Sequence, residues 1–186
     1  VVAAAKAHGV PIRVGANAGS LPRELLARHG GPTPEAIVEA ALGHVRLLEK
    51  RGFDRIKVSL KSSSVPHTVA ACRRFAELAD YPQHLGVTEA GGLLAGTVKS
   101  AAGIGALLLD GLGDTLRVSL TADPLREVEV AWRILSACGL RRRGVEIISC
   151  PTCGRTEIDL LGLAEAAERE LAAIRAPLTV AIMGCV

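Results

Sequence analysis

The chain has 186 residues, 49% hydrophobic and 22% charged, a balance that excludes intrinsic disorder and is enough for a buried core. A net charge of +3 is too mild for a general nucleic-acid binder, and aromatics at 2% are too few to stack bases. No apolar run reaches the roughly 18 residues of a membrane span, because Gly, Lys, Arg or Asp interrupts each candidate, Ala101–Leu109 included.

With so few aromatics, Val, Ile, Leu and Ala must fill the interior, as they do in covered parallel sheets. Val1–Val10 shows no basic n-region, long apolar stretch or cleavage site, so a cytoplasmic protein is expected. Its five cysteines should then serve metals or chemistry rather than disulfides. The missing initial Met points to a fragment.

Strand and helix patterns alternate as in repeated βα units. The first strand, Pro11–Ala16, precedes an amphipathic helix over Glu35–Lys50 with Ile37, Ala41, Val45 and Leu48 on one face. Thr33 can cap that helix, with Pro34 at its first position. The next pairs are Arg55–Leu60 with Pro66–Ala79, His84–Val87 with Val98–Leu109, and Thr115–Leu120 with Leu125–Cys138. Each strand closes on polar residues before a Gly- or Ser-containing loop: Asn17, Lys61, Thr88 with Glu89, and Ser119. In a (β/α) barrel these ends share one mouth; in an open doubly wound sheet they gather near one switch point. The barrel is the better fit, and these units would form half of one.

Beyond the basic turn Arg141–Gly144 the pattern changes. A strand at Val145–Ser149 runs into CPTCG, a helix covers Ile158–Ile174, and a last strand covers Leu178–Met183. The expected organisation is residues 1–143 as the second half of a TIM barrel and residues 144–186 as the start of a smaller α/β domain.

Cys150 and Cys153 form a C-x-x-C pair, and Cys185, 32 positions beyond Cys153, closes another strand. Parallel neighbouring strands would bring the three thiols together. Three thiolates without a fourth Cys or a nearby His argue against structural zinc and suit an iron–sulfur cluster with one different ligand. The alternative is that Cys185 is a buried small hydrophobe and the pair shares zinc with a partner chain. Cys72 and Cys138 lie on helical patterns beside Ala and read as core.

Arg13, Lys61 and Arg117 sit within or at the end of three strands, and alternation puts Arg13 with Asn17, and Arg117 with Ser119, on common faces. Buried there they need an anion, with a phosphate ester or diphosphate the natural partner. The alternative is structural pairing with Glu89, Asp114 or Asp123. Lys57 shares a face with Lys61. GGLLAGTVKS breaks P-loop spacing and GIGALL follows no strand, so neither binds a nucleotide. His67 and His84 read as structural rather than acid–base residues.

Taken together, IRVGANAGSL, FDRIKVSLKSS, HLGVTEAGG, VKSAAGIGALL, GDTLRVSLTADP, ISCPTCGRTE and IMGCV resemble the bacterial 4-hydroxy-3-methylbut-2-enyl diphosphate synthase family, iron–sulfur reductases of the non-mevalonate isoprenoid pathway. The resemblance runs from about Pro11 to the last residue. It implies a TIM barrel followed by a small α/β domain, with a [4Fe-4S] cluster held by Cys150, Cys153, Cys185 and a Glu lying beyond this sequence. It further implies that Arg13, Lys61 and Arg117 bind the diphosphate, that Asn17, Thr88 and Ser119 hydrogen-bond the substrate, and that Glu89 is catalytic and faces the cluster. Ferredoxin or flavodoxin would donate electrons, and a homodimer would place one subunit's cluster domain over the other's barrel. The implied reaction is reductive ring opening and dehydroxylation of 2-C-methyl-D-erythritol 2,4-cyclodiphosphate. Two other readings remain: a lyase or aldolase using Lys61 as a Schiff-base amine, and a non-catalytic metal-binding fragment. An exposed half-barrel edge argues against independent folding or activity of such a piece.

Overall fold

The computed structural model describes residues 1–185, which divide into two compact units, Val1–Ile134 and a second beginning at Leu135. The first unit contains α1 (Val2–His8), β1 (Ile12–Asn17), a 3-10 turn (Ala18–Ser20), α2 (Arg23–His29), α3 (Pro34–Glu49) and β2 (Ile56–Lys61). It continues through α4 (Val65–Leu78), β3 (His84–Leu85), α5 (Leu93–Leu109), β4 (Thr115–Leu116) and most of α6 (Pro124–Ala137). Helices α1 and α2 are additional to the expected elements.

The strands lie in chain order and all run parallel. β1 pairs with β2 from Ile12↔Ile56 to Asn17↔Lys61, and β3 with β4 at His84↔Thr115 and Leu85↔Leu116. A parallel bridge between Val58 and Gln83 sets β3 beside β2. The regular ladders of β3 and β4 are shorter than expected, but backbone bonds carry the alignment further. The Arg117 N–H donates to the Leu85 carbonyl at 2.9 Å and the Thr88 N–H to the Ser62 carbonyl at 3.2 Å.

Alternation decides what each face carries. Ile56, Val58, Leu60, Leu85, Val87 and Val118 are buried, and the helices lie behind them: α3 against β1 and β2, α4 against β2, then α5 beside α4. A doubly wound sheet has helices on both faces. Here α3, α4 and α5 cover one face only, as in a segment of a (β/α) barrel. The barrel is not closed by these four strands.

Local chemistry explains the helices. Thr33 Oγ1 accepts the Ala36 N–H at 3.3 Å and Pro34 opens α3, as expected. Its buried stripe is Ala36, Ile37, Ala40, Ala41 and Val45. Helix α5 begins at Leu93 rather than Val98, and two of its glycines are packing residues. A Cβ on Gly96 would come within 2.5 Å of Leu120 Cδ2, and one on Gly103 within 2.7 Å of Val87 Cγ2. At Gly113, φ is +107° and a Cβ would lie 2.6 Å from Leu85 Cγ, so only glycine makes that turn into β4.

In the second unit, β5 (Val145–Ser149) and β6 (Leu178–Ile182) pair in parallel around α7 (Leu160–Leu171). Asp159 Oδ1 accepts the Gly162 N–H at 3.0 Å and caps α7. Leu160 and Ile182 are buried, whereas Ile148, Leu161, Leu178 and Met183 are exposed, so this βαβ piece has a thin core. Among the described residues no helix is long and apolar enough to cross a membrane.

Phe75, on α4, is fully buried. Phe75→Ala is expected to destabilise the intact protein by about 3–5 kcal/mol, measured by urea unfolding; a loss under about 1 kcal/mol would show that this core is not what holds the helices to the sheet.

Candidate active site

The face of the sheet opposite the helices is lined by hydrophilic side chains in rows set by register. Arg13 lies beside Lys57, Gly15 beside Ser59, and Asn17 beside Lys61. On the other two strands His84 lies beside Thr115. The Val58↔Gln83 bridge continues these rows, so that Gly86 falls beside Lys61 on one side and Arg117 on the other. The Lys61 side chain crosses Gly86: a Cβ there would lie 3.0 Å from the Lys61 Nζ and 2.6 Å from the Arg117 carbonyl oxygen. Glycine at position 86 therefore opens the space in which the ammonium lies.

The electrostatics of this face are one-sided. Burial first, then the Arg117 and Arg13 guanidiniums, push the Lys61 ammonium down to about 8. Burial, then Lys61, Arg13, Lys57 and Arg117, push the His84 imidazole down to about 4. Among the described residues no carboxylate forms an ion pair with Arg13, Lys57, Lys61 or Arg117. The structural alternative of pairing with Glu89, Asp114 or Asp123 is not realised. Asp114 Oδ2 instead accepts the Gln83 N–H at 2.8 Å, and Asp123 Oδ1 accepts the Leu125 N–H at 2.8 Å. A cluster of cations without a counter-charge is an anion site in waiting.

The loops at the carboxyl ends add hydrogen-bonding groups. Asn17 Oδ1 accepts the Gly19 N–H at 3.1 Å and fixes the turn after β1. Arg117 Nη2 approaches Ser119 Oγ at 3.5 Å, so the two share a face as alternation requires. Thr88 is half-buried and Glu89 is exposed. Glu89 has φ +52° and is the only non-glycine residue at positive φ among the described residues. The segment is pinned on both sides, by the Thr88 N–H on the Ser62 carbonyl and by the Thr121 N–H on the Gly91 carbonyl. A strained residue held this way is a mark of a functional loop.

The thiols belong to the second unit. The Cys150 N–H donates to the Ile182 carbonyl at 3.2 Å, and the Glu157 N–H to the Gly184 carbonyl at 2.9 Å. These bonds tie the CPTCG loop to the segment that ends in Cys185, so all three cysteines lie at the carboxyl edge of β5 and β6. The Arg155 backbone N–H, then the Thr156 hydroxyl, hold the exposed Cys153 thiol below the ordinary thiol range. Among the described residues no group of three His, Cys, Asp or Glu converges tightly enough to hold a metal ion. The donor set still fits a thiolate-bound cluster, since three thiols share one edge and one is already acidified. Cys72 is buried with its thiol pushed up to about 12 by burial, which makes it core as expected.

Residues 1–132 match the model of the GcpE TIM-barrel domain, and residues 146–186 that of the GcpE protein C-terminal domain. The chain belongs to the GcpE family. Curated relatives from Geobacter sulfurreducens and Maridesulfovibrio salexigens are each 61% identical over the whole chain, and one from Caldanaerobacter subterraneus is 60% identical. All three are named 4-hydroxy-3-methylbut-2-en-1-yl diphosphate synthase (flavodoxin). The chain spans about half of their length, 53% of the first and 52% of the other two.

Within this GcpE barrel segment the structure gathers Arg13, Asn17, Lys61, Arg117 and Ser119 on one face, with Thr88 and Glu89 on the loop after β3. Positions 84, 86 and 88 alternate with the buried Leu85 and Val87, a spacing that puts His84 and Gly86 on the same face as Arg13, Lys61 and Arg117.

Lys61 carries a testable sign. Its folded value lies near 8 against an ordinary 10.5, so below pH 8 its charge opposes folding, and stability rises as pH climbs from 8 to 10.5. Lys61→Met should stabilise the intact protein at pH 7, with a smaller gain at pH 10.5, read by urea unfolding. An equal gain at both pH values would remove the electrostatic explanation.

Proposed function

We propose that this chain forms part of a reductase that opens 2-C-methyl-D-erythritol 2,4-cyclodiphosphate and removes a hydroxyl to give 4-hydroxy-3-methylbut-2-enyl diphosphate. The observation that carries this reading is the counter-charge-free cation face beside the strained Glu89 loop, in a chain whose second unit sets three thiols on one edge. The names of the relatives support the same substrate class and a flavodoxin as electron donor. Residues 1–143 would belong to the barrel and 144–186 to the cluster domain of a cytoplasmic homodimer.

Arg13, Lys61 and Arg117 would hold the diphosphate through charge-assisted bonds, with Asn17, Thr88 and Ser119 orienting the ring by hydrogen bonds. Cys150, Cys153 and Cys185 would hold a [4Fe-4S] cluster, which supplies electrons singly and Lewis acidity at an iron that lacks a thiolate. The balance is two electrons and two protons in and one water out. The bond between the tertiary carbon and its phosphate oxygen breaks, the neighbouring hydroxyl leaves, and a carbon–carbon double bond forms between the two carbons. Glu89 would deliver the proton that turns the departing hydroxyl into water.

A second reading is favoured by one observation, the lowered Lys61 amine. A partly unprotonated amine at a strand end suits Schiff-base chemistry in a lyase. Borohydride treatment with a carbonyl substrate would trap that adduct on Lys61, and its absence would leave the reductase alone.

In the intact protein purified without oxygen, Glu89→Gln is expected to keep the cluster's visible absorbance and lose turnover. Retained turnover would remove the proton-donor role. Lys61→Ala is expected to weaken substrate binding by ~1.5–3 kcal/mol, read by calorimetry; unchanged affinity would move the diphosphate elsewhere.

A further inference from the structure

His84 has no task in the reaction described above. It lies on the cationic face one row below Gly86, Lys61 and Arg117, and its Nδ1 is 2.8 Å from Thr115 Oγ1. Its Nε2 is buried with no hydrogen-bond partner, which is uncommon for a ring nitrogen and calls for a reason. The charged groups acting on it are Lys61 and Lys57 on β2, Arg13 on β1 and Arg117 on β4. From the helices behind, the Cys72 thiol acts on Lys61, and it stays neutral because burial holds it up at about 12. No carboxylate of the described residues is among the groups that shift His84 or Lys61.

We propose that His84 is the proton acceptor of the anion site: when a diphosphate group occupies Arg13, Lys57, Lys61 and Arg117, Nε2 takes one proton from solvent and the imidazolium becomes a fifth cation in the site. The inference rests on the anion-binding reading of this face. In the tautomer this proposal requires, Nδ1–H donates to Thr115 Oγ1 in both states, and the unpartnered Nε2 is the site that takes the proton. Four cations disfavour a further positive charge, and a bound polyanion reverses that potential. Burial first, then the four cations, keep the ring neutral at pH 7; an anion acts on the second cause, so binding and protonation are linked.

Linkage fixes the sign. A group that gains a proton on binding makes affinity rise as pH falls. Lys61 is held near 8, so it is already charged at pH 6.5 and its own uptake belongs near pH 8 and above. Inorganic diphosphate itself titrates close to pH 6.5 and loses protons in a cationic site, so His84 is read from the uptake of wild type beyond that of His84→Gln.

The experiment is calorimetric titration of the intact protein with inorganic diphosphate at pH 6.5, in two buffers of different ionisation enthalpy. Wild type is expected to take up at least about half a proton per diphosphate bound beyond what His84→Gln takes up. His84→Gln, which keeps a polar side chain, is expected to bind within about tenfold of wild type and to show only the proton exchange of the diphosphate itself. Equal proton exchange by wild type and His84→Gln on binding would overturn the proposal. The histidine ring proton shifts of wild type, followed by NMR against pH with and without diphosphate, give a second readout that does not depend on the variant folding. A ring that stays neutral at pH 6.5 in saturating diphosphate would equally overturn it. If Lys61→Ala and Arg117→Ala bind diphosphate as wild type does, the anion-binding reading itself fails, an outcome separate from the loss of proton linkage.

Discussion

Neighbouring residues on a strand point to opposite faces, and in this protein that constraint separates hydrocarbon from charge. Val58 and Leu60 are buried under α3 and α4, while Lys57, Ser59 and Lys61, interleaved with them, line the other face. The parallel registers of β1 with β2 and of β3 with β4, joined by the Val58↔Gln83 bridge, then turn single side chains into rows. Slipping one strand by a residue would bury lysine against Ile37 and Phe75. The apolar face thus fixes where the cations go, and the cations gain no stability for themselves.

That arrangement works against folding. Lys61 and His84 are both pushed toward their neutral forms by burial and by their cationic neighbours, and among the described residues no carboxylate pairs with these cations. Natural proteins keep such unfavourable clusters at sites where a ligand supplies the missing charge. The left-handed Glu89 is a second local penalty, a few residues along the same strand exit. Both penalties are held in place by ordinary features nearby: the Thr121–Gly91 backbone bond, the Glu127 carboxylate accepting the Leu120 N–H at 2.8 Å, and the close packing allowed by Gly103. The thiol unit follows a similar plan on a smaller scale, with a two-stranded ladder setting Cys150 and Cys185 at one edge and the Arg155 backbone N–H, then the Thr156 hydroxyl, acidifying Cys153.

Much of this was legible in the residues. Period-two runs located the strands, period-3.6 patterns located α3, α4 and α6, and polar residues at strand ends marked Asn17, Lys61, Glu89 and Ser119 as site candidates. The misreadings have physical causes. Helix α5 starts five residues before the expected Val98, because composition does not show that Gly96 lies inside a helix to let Leu120 pack closely. Helices α1 and α2 are seven residues each, too short for periodicity to stand out.

The sequence by itself determined the alternation of elements, the cap at Thr33, the supply of cations and thiols, and the family motifs, since all of these depend on residues near one another in the chain. Tertiary structure alone decided that helices cover one face rather than two, that Lys61 crosses Gly86 beside Arg117, and that no carboxylate answers the four cations. Those facts rest on contacts between residues 25 to 44 positions apart. Charge and burial act through space, and only the register of the assembled sheet brings the groups within range.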